Sequence, residues 1–264
     1  MQHATVDGVR IAYQTAGKAG PWVVLSHSIA CDHSMWEPQI RALERHYRIL
    51  AFDTRGHGAS DAPPGPYSFE QLSADALGLM DALAIDHAHF VGLSMGGMIG
   101  QHAALGAPDR FLSLTLADTT SRYPAEARGV WDQRMVTARE QGLEPLVAPT
   151  LERWFTQGFR AAHPEMVDRI GRLIRSTAVD GYVGCAQAII GMNLTDRLGA
   201  IHCPVLVIVG AEDQSTPVAM HEEIHRAIPQ SRLVVLPNAA HLSNIEQPGA
   251  FTAELLGFLV TAAG

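Results

Sequence analysis

The sequence predicts an α/β protein built on a mostly parallel, doubly wound sheet. Short, almost wholly apolar runs alternate along the chain with longer stretches of helical periodicity, a pattern typical of parallel strands covered by helices on both faces. The predicted strands are residues 22–25, 49–52, 89–92, 112–116, 205–209 and 233–236. The predicted helices are residues 36–43, 69–83, 98–107, 218–228 and 251–260. A hairpin precedes them, because Asp7-Gly8 between two β-prone runs is typical of a two-residue turn.

One interval is too long for a simple crossover between parallel strands. Such a crossover needs a dozen or so residues, whereas the interval from Asp118 to Cys203 carries several helix-like pieces. These pieces are residues 131–141, 146–156, 164–174 and 181–191. We therefore expect residues 121–196 to form a helical cap (lid), inserted after the sixth strand, and residues 1–120 and 197–264 to form the core. A cap over the sheet edge would exclude water and select the substrate.

The composition limits the classes of function. With 264 residues, 47% of them apolar and 17% charged, the chain is expected to be globular. A net charge of −8 without a Lys/Arg cluster argues against nucleic acid, and no apolar run approaches the ~20 residues of a membrane span. We expect a cytoplasmic protein, because no secretion signal is evident and three widely spaced cysteines match no disulfide framework. The expected partner is a small-molecule substrate; a homo-oligomer is left open.

Gly92-Leu93-Ser94-Met95-Gly96 carries the strongest chemical signal in the chain. This G-x-S-x-G motif stands between a predicted strand and a predicted helix, the context in which it marks a nucleophile elbow. The flanking glycines let neighbouring backbone pass a strained turn, and the helix directs its N-terminal N–H groups at the site. Ser94 is therefore the predicted nucleophile.

A serine nucleophile needs a base, and the base needs a carboxylate that orients it. Asp213 and His241 each follow the carboxyl end of a predicted strand, at the edge where Ser94 is expected, in the order serine, acid, histidine. They are the predicted acid and base. Glu212 and Asp118 remain alternative acids. Two alternative interpretations remain. Asp213 could instead cap the helix that follows it, and His241 could be a structural histidine.

An oxyanion hole needs two backbone donors aimed at the developing negative charge. The N–H of Met95, the residue after the nucleophile, is the first predicted donor. The second is the N–H of Ile29, in the loop that follows the strand at residues 22–25. Only the backbone of Ile29 is used, so its side chain is free to line a pocket.

A zinc-site motif also occurs and points elsewhere. His221-Glu222-Glu223-Ile224-His225 matches H-E-x-x-H, in which two histidines on one helix face bind zinc. No third ligand is evident, and the position of the helix in the chain predicts that it lies on an outer face. We therefore expect no metal and no organic cofactor.

Several segments resemble a known superfamily. Asp53-Thr54-Arg55-Gly56-His57-Gly58-Ala59-Ser60, the segment around Ser94, and Ala240-His241-Leu242-Ser243-Asn244-Ile245-Glu246-Gln247-Pro248 are similar to α/β-hydrolases. With Arg153-Trp154-Phe155 and Gly181-Tyr182 in the cap, the chain most resembles the 3-oxoadipate enol-lactonases of aromatic compound catabolism. The resemblance implies the α/β-hydrolase fold and lactonase or esterase activity without a cofactor.

The cap departs from that family in one respect. The family usually carries acidic and arginine residues shortly after Cys-x-Ala-Ile, whereas residues 190–194 here are apolar and neutral. If this stretch touches substrate, a less charged molecule is expected. Trp131, Arg134, Trp154 and Tyr182 are the cap residues expected to contact substrate, although packing within the cap explains each of them about as well.

Together these features predict a serine hydrolase that opens a small lactone through an acyl-enzyme. The alternative is a carboxylesterase, perhydrolase or C–C bond hydrolase that uses the same triad on a less charged substrate. A ligand receptor that keeps the fold without turnover is the third hypothesis, and the intact set of Ser94, Asp213 and His241 counts against it.

Overall fold

A computed structural model describes residues 1–262 of the chain and shows, within them, one eight-stranded sheet. The strands are β1 (Gln2–Val6), β2 (Val9–Ala16), β3 (Trp22–Ser26), β4 (Arg48–Phe52), β5 (Ala88–Leu93), β6 (Phe111–Ala117), β7 (Val205–Gly210) and β8 (Arg232–Leu236). Their order is β1-β2-β4-β3-β5-β6-β7-β8. Only β1 with β2 and β2 with β4 pair antiparallel; every other neighbouring pair is parallel. The predicted α/β sheet is confirmed.

All six predicted strands are present, each one or two residues longer than predicted. The hairpin is also confirmed, since Val6 pairs with Val9 across Asp7 and Gly8, whose φ angles are 49° and 77°. Positive φ at both turn positions matches the twist of the flanking strands. Every residue of β5 and β7 is buried, as expected where helices cover both faces of a sheet.

The α-helices of the described chain follow the predicted pattern, with some shifted ends and two helices that were not predicted. They are α1 (Glu37–Leu43), α2 (Phe69–Ala82), α3 (Met95–Gly106), α4 (Arg128–Gln141), α5 (Glu144–Trp154), α6 (Gln157–Ala162), α7 (Pro164–Ser176), α8 (Val179–Ile190), α9 (Val218–Ala227), α10 (Ser243–Glu246) and α11 (Pro248–Ala262). Helix α3 begins three residues earlier than predicted, because packing under the nucleophile turn overrides the low helix propensity of its glycines. Helices α6 and α10 were not predicted, since each is short.

Helices α4 to α8 all lie between β6 and β7, where the cap was expected. Helix α8 packs closely on the core: a Cβ at Gly181 would lie 2.0 Å from the carbonyl oxygen of Gly56. The α5–α6 junction is tied to the segment after His241, because Thr156 N–H donates to Glu246 Oε1 at 2.6 Å. We therefore propose residues 121–196 as the cap and the flanking residues as the core, whose last two residues, 263–264, lie outside the described part. Among residues 1–262, no helix is long and apolar enough to cross a membrane.

Candidate active site

The backbone of Ser94 is strained and held from two sides. Ser94 stands between β5 and α3 with φ 56° and ψ −115°, a conformation that non-glycine residues rarely adopt. Its N–H donates to the carbonyl of Ala117 at 2.8 Å, and its carbonyl accepts from Thr119 Oγ1 at 2.7 Å. A Cβ at Gly92 would lie 2.2 Å from the carbonyl oxygen of Gly96, so this turn requires glycine there. This backbone geometry is the one expected of a nucleophile elbow.

The structure brings the three predicted triad side chains together. His241 Nε2 lies 3.0 Å from Ser94 Oγ, and His241 Nδ1 lies 2.8 Å from Asp213 Oδ2. All three residues are buried, with exposed fractions of 6% for Ser94, 2% for His241 and 5% for Asp213. This connected line allows the imidazole to take the serine proton while the carboxylate orients the ring.

Asp213 is held in its ionised form by several donors. Its Oδ1 accepts from the N–H groups of Ser215 at 2.7 Å and Thr216 at 3.0 Å, and its Oδ2 accepts from Thr216 Oγ1 at 2.8 Å. Burial would raise the pKa of this carboxyl, but the charge and hydrogen bond of His241 and the bonds from Thr216 outweigh it and lower the pKa. Asp213 therefore both shapes the turn before α9 and contacts His241.

The two alternative acids lie elsewhere. Asp118 accepts from Gly210 N–H at 2.9 Å and from the hydroxyl of Ser243, whereas Asp213 is the carboxylate that contacts His241. Burial, followed by the nearby charge of Asp213, raises the pKa of Asp118 well above its usual range. Glu212 has an exposed side chain.

The N–H groups of Met95 and Ile29, the two predicted oxyanion donors, donate to no acceptor among residues 1–262. Met95 is the first residue of α3, where a helix leaves its N–H groups unpaired. Ile29 lies in a turn closed by the N–H of Cys31, which donates to the carbonyl of Ser28 at 3.2 Å. Ile29 lines the cavity next to Ser94.

A cavity of about 110 Å³ lies between the cap and the carboxyl edge of the sheet. Ser94 and His241 are exposed to it, and so are the four predicted cap residues, Trp131, Arg134, Trp154 and Tyr182. The Trp154 ring lies 5.9 Å from the His241 ring, centroid to centroid. The volume suits a small molecule.

The sequence prediction missed Arg153 as a cavity residue. The segment Arg153-Trp154-Phe155, which resembles the enol-lactonases, contains the signal that could have identified it, because Arg153 directly precedes the predicted substrate contact Trp154. The Arg153 guanidinium bonds Thr150 Oγ1 at 3.2 Å. Arg134 lies with its guanidinium carbon 4.9 Å above the Trp131 ring. Among the described residues that line the cavity, none is acidic.

These two arginines make the cap side of the cavity a cationic site. Burial, followed by the charge of Arg134, lowers the pKa of Arg153. Burial raises the pKa of Tyr182 to about 12, so its hydroxyl stays protonated and remains a donor. Trp131 Nε1 is buried and has no hydrogen-bond partner among the described residues. The arrangement offers several donors and two positive charges to an anionic group.

The neutral stretch at residues 190–194 does not contribute to this cationic site. Gly191, Met192 and Asn193 line a separate surface depression, and the preceding Ile189 lines the cavity. A less charged substrate was expected only if residues 190–194 touched it, and the cavity next to Ser94 offers no such contact with residues 191–193.

The H-E-x-x-H motif has a structural role at its first histidine. His221 lies on the buried side of α9, whose opposite side carries exposed residues, and its Nε2 accepts from the Thr119 N–H at 2.7 Å. His225 Nδ1 instead contacts Ser231 Oγ at 2.8 Å. Within residues 1–262, no group of three His, Cys, Asp or Glu side chains is placed to hold a metal ion.

Comparison with known proteins identifies the family. Residues 21–248 match the model of the alpha/beta hydrolase fold. A 3-oxoadipate enol-lactonase of Acinetobacter baylyi is 40% identical over 248 residues, which cover 94% of this chain and 92% of that protein. The crystal structure of an enol-lactonase from Burkholderia xenovorans LB400 matches with a TM-score of 0.95 and 40% identity, covering 98% of this chain and all (100%) of that one.

A thermophilic esterase from Thermogutta terrifontis, solved with malate bound, matches with a TM-score of 0.94 and 30% identity over 99% of both chains. These relatives act on ester bonds, by lactone opening or by ester cleavage, as their names state. The chain is accordingly a hydrolase of ester bonds in small-molecule substrates, and it belongs to the α/β-hydrolase fold family.

Proposed function

We propose that this protein is a serine hydrolase that opens a small lactone, similar to the enol-lactone of 3-oxoadipate, through a covalent acyl-enzyme. One observation carries the proposal: Ser94 Oγ, His241 and Asp213 form a hydrogen-bonded line, with separations of 3.0 Å and 2.8 Å, at the floor of a cavity. The arrangement has the geometry of a nucleophile, a general base and an orienting carboxylate.

In the first step, His241 Nε2 accepts the Ser94 hydroxyl proton while the serine oxygen attacks the lactone carbonyl carbon. The carbonyl oxygen becomes negatively charged, and the N–H groups of Met95 and Ile29 are the donors that stabilise it. Asp213 holds the proton on His241 Nδ1 and stabilises the imidazolium that forms. Because Asp213 is ionised and desolvated in the free protein, it needs no reorganisation during this step.

In the second step, the bond between the carbonyl carbon and the ring oxygen breaks, and His241 returns the proton to the leaving oxygen. The leaving group stays attached to the acyl chain because it belonged to the ring; if it is an enol, it becomes a ketone. His241 then activates a water molecule that attacks the ester of Ser94 and releases the carboxylic acid. These steps use only the named side chains, backbone donors and water.

The cationic site formed by Arg134 and Arg153 favours a substrate that carries a carboxylate away from the reacting carbonyl. Arg134 and Arg153 supply charge, and Trp131 Nε1 and the Tyr182 hydroxyl supply donors. Three relatives support the same substrate class. The Acinetobacter and Burkholderia proteins are named as enol-lactonases, and the Thermogutta esterase was solved with malate, a dicarboxylate.

A carboxylesterase is the second candidate function, and the 30% identical esterase favours it. The same triad would acylate on an open-chain ester, with the alcohol leaving the site after the first step. Perhydrolysis and C–C bond hydrolysis remain predictions from the fold alone.

The decisive experiment compares wild type with Ser94→Ala on three substrates: a carboxylate-bearing enol-lactone, a neutral lactone of the same ring size, and the open-chain methyl ester. We expect Ser94→Ala to lower kcat by about 10⁴–10⁶ on all of them. Ser113→Ala is the matched control, because Ser113 is a buried serine in β6 whose hydroxyl contacts His89.

Ser94→Ala turnover close to that of wild type, with Ser113→Ala unimpaired, would rule out the triad assignment. Preference for the open-chain ester over both lactones would instead make the protein a carboxylesterase.

A further inference from the structure

The turn that follows β6 contacts all three loops that carry the triad. We call Ala117, the last residue of β6, together with Asp118 and Thr119, the β6 turn. It lies at the carboxyl edge of the sheet, between the strand that precedes Ser94 and the strand that precedes Asp213, because β6 pairs with β5 on one side and β7 on the other. All three residues are fully buried.

The first contact is with the nucleophile. The Ala117 carbonyl accepts from the Ser94 N–H at 2.8 Å, and Thr119 Oγ1 donates to the Ser94 carbonyl at 2.7 Å. Both peptide groups that flank the strained Ser94 backbone are therefore bonded to this turn. A strained backbone persists only where its surroundings fix it.

The second and third contacts come from the Asp118 carboxyl. Its Oδ1 accepts from the N–H of Gly210, three residues before Asp213, at 2.9 Å, and its Oδ2 accepts from the hydroxyl of Ser243, two residues after His241. One buried side chain thus joins the loop of the acid to the loop of the base. Asp118 adopts φ 44°, so its own backbone is held in the left-handed region to make these bonds.

A fourth contact uses the first histidine of the H-E-x-x-H motif. The Thr119 N–H donates to His221 Nε2 at 2.7 Å, and His221 Nδ1 lies 3.3 Å from the Pro217 carbonyl, at the end of the Asp213 loop. His221 therefore must be neutral, with its proton on Nδ1, to satisfy both partners. Burial lowers the pKa of His221 to about 4, in agreement with that state.

We propose that Asp118 and Thr119 are positioning residues of the ester hydrolysis: they set the relative placement of Ser94, Asp213 and His241 without touching substrate. The inference rests on the triad proposed above. Its physical reason is that the three catalytic side chains stand on separate loops, and only shared contacts can fix the distances between loops. A misplacement of about 1 Å costs roughly 100-fold in rate.

The test measures kcat and KM for p-nitrophenyl acetate with two Asp118 variants and one control. Asp118→Ala removes both loop contacts, and we expect kcat to fall at least tenfold with KM within twofold of wild type. Asp118→Asn keeps an acceptor for Gly210 and a polar partner for Ser243, and we expect it to recover kcat to within threefold. Ser113→Ala, which removes a buried hydrogen bond within β6, five residues before Asp118, should leave kcat unchanged.

Thr119 supplies a second pair if Asp118→Ala does not fold. Thr119→Val removes the hydroxyl bond to the Ser94 carbonyl and should lower kcat at least fivefold, whereas Thr119→Ser should restore it. Thermal unfolding of every variant separates lost stability from lost turnover. Wild-type kcat in folded Asp118→Ala and Thr119→Val, or a loss confined to KM, would overturn the proposal, and so would equal losses in the Asn and Ala variants.

Failure of this proposal is distinguishable from failure of the triad. If Ser94→Ala is inactive while the Asp118 and Thr119 variants turn over normally, the triad stands and the positioning role falls. If Ser94→Ala remains active, the triad itself is wrong.

Discussion

Replacing Arg153 with glutamine tests whether the cap recognises a carboxylate. Arg153 lines the cavity beside Arg134, and neither has an acidic partner within 4 Å among residues 1–262. Glutamine keeps an amide donor of similar reach and removes the positive charge. We expect a loss confined to substrates that carry a carboxylate.

The magnitude follows from the contacts available. A hydrogen bond to a charged group contributes about 1.5–3 kcal/mol, so losing one from Arg153 should lower kcat/KM for the carboxylate-bearing lactone by roughly 10- to 150-fold. For the neutral lactone, kcat/KM should stay within about threefold. The variant should not lose thermal stability, because burial and the charge of Arg134 both disfavour the charged form of Arg153, as its lowered pKa indicates.

The assay measures kcat/KM for the two lactones of equal ring size at low ionic strength and at 0.5 M salt. Arg139→Gln is the matched control, since Arg139 is an exposed arginine on α4, the helix that also carries Arg134. It removes the same charge from the cap surface and should change neither substrate's kcat/KM by more than about twofold. Equal losses for the charged and the neutral lactone in Arg153→Gln would refute the carboxylate site, because a packing defect does not discriminate by substrate charge.

Two further predictions concern the acid of the triad and stability at low pH. Asp213→Asn should lower kcat by about 10⁴ with little change in fold, because the amide still accepts from Ser215 but favours the wrong His241 tautomer; a loss below tenfold would contradict the assignment. Burial lowers the pKa of His89 and His221 to about 4 each. As the pH falls from about 6.5 to 4, the unfolded chain therefore binds protons that the native state does not, and the free energy of unfolding should drop by up to about 3 kcal/mol per histidine. Urea unfolding at pH 7 and pH 4.5 measures this, and His89→Gln should show a smaller drop; an equal drop in both proteins would contradict it.

Local sequence signals were sufficient for the strands and for the catalytic edge. The apolar runs of β5 and β7 could be assigned because both faces of each strand are buried, which leaves an uninterrupted apolar signal. The start of α3 was misplaced, because Gly96 and Gly97 have low helix propensity and only contacts with the sheet stabilise a helix there.

In the cap, local sequence signals were not sufficient to identify every residue that lines the cavity. Their aromatic side chains pointed to Trp131, Trp154 and Tyr182, and all three line the cavity. The sequence analysis did not identify Arg153, which also lines the cavity, and it considered a substrate contact for residues 190–194, part of which lines a separate surface depression. Whether a cap arginine faces the cavity or the solvent depends on how α4, α5 and α8 pack together, and residue type carries no information about that packing.

By itself, the sequence determined the order of strands and helices and the identity of Ser94, Asp213 and His241 as residues at strand ends, because hydrophobic periodicity and turn chemistry are local properties. The tertiary structure alone decided that Asp213 rather than Asp118 contacts His241, that buried His221 accepts a hydrogen bond from the Thr119 N–H, and that two arginines share one cavity. Each of these outcomes depends on distances between segments far apart in the chain, which only the packing of the sheet, its helices and the cap can set.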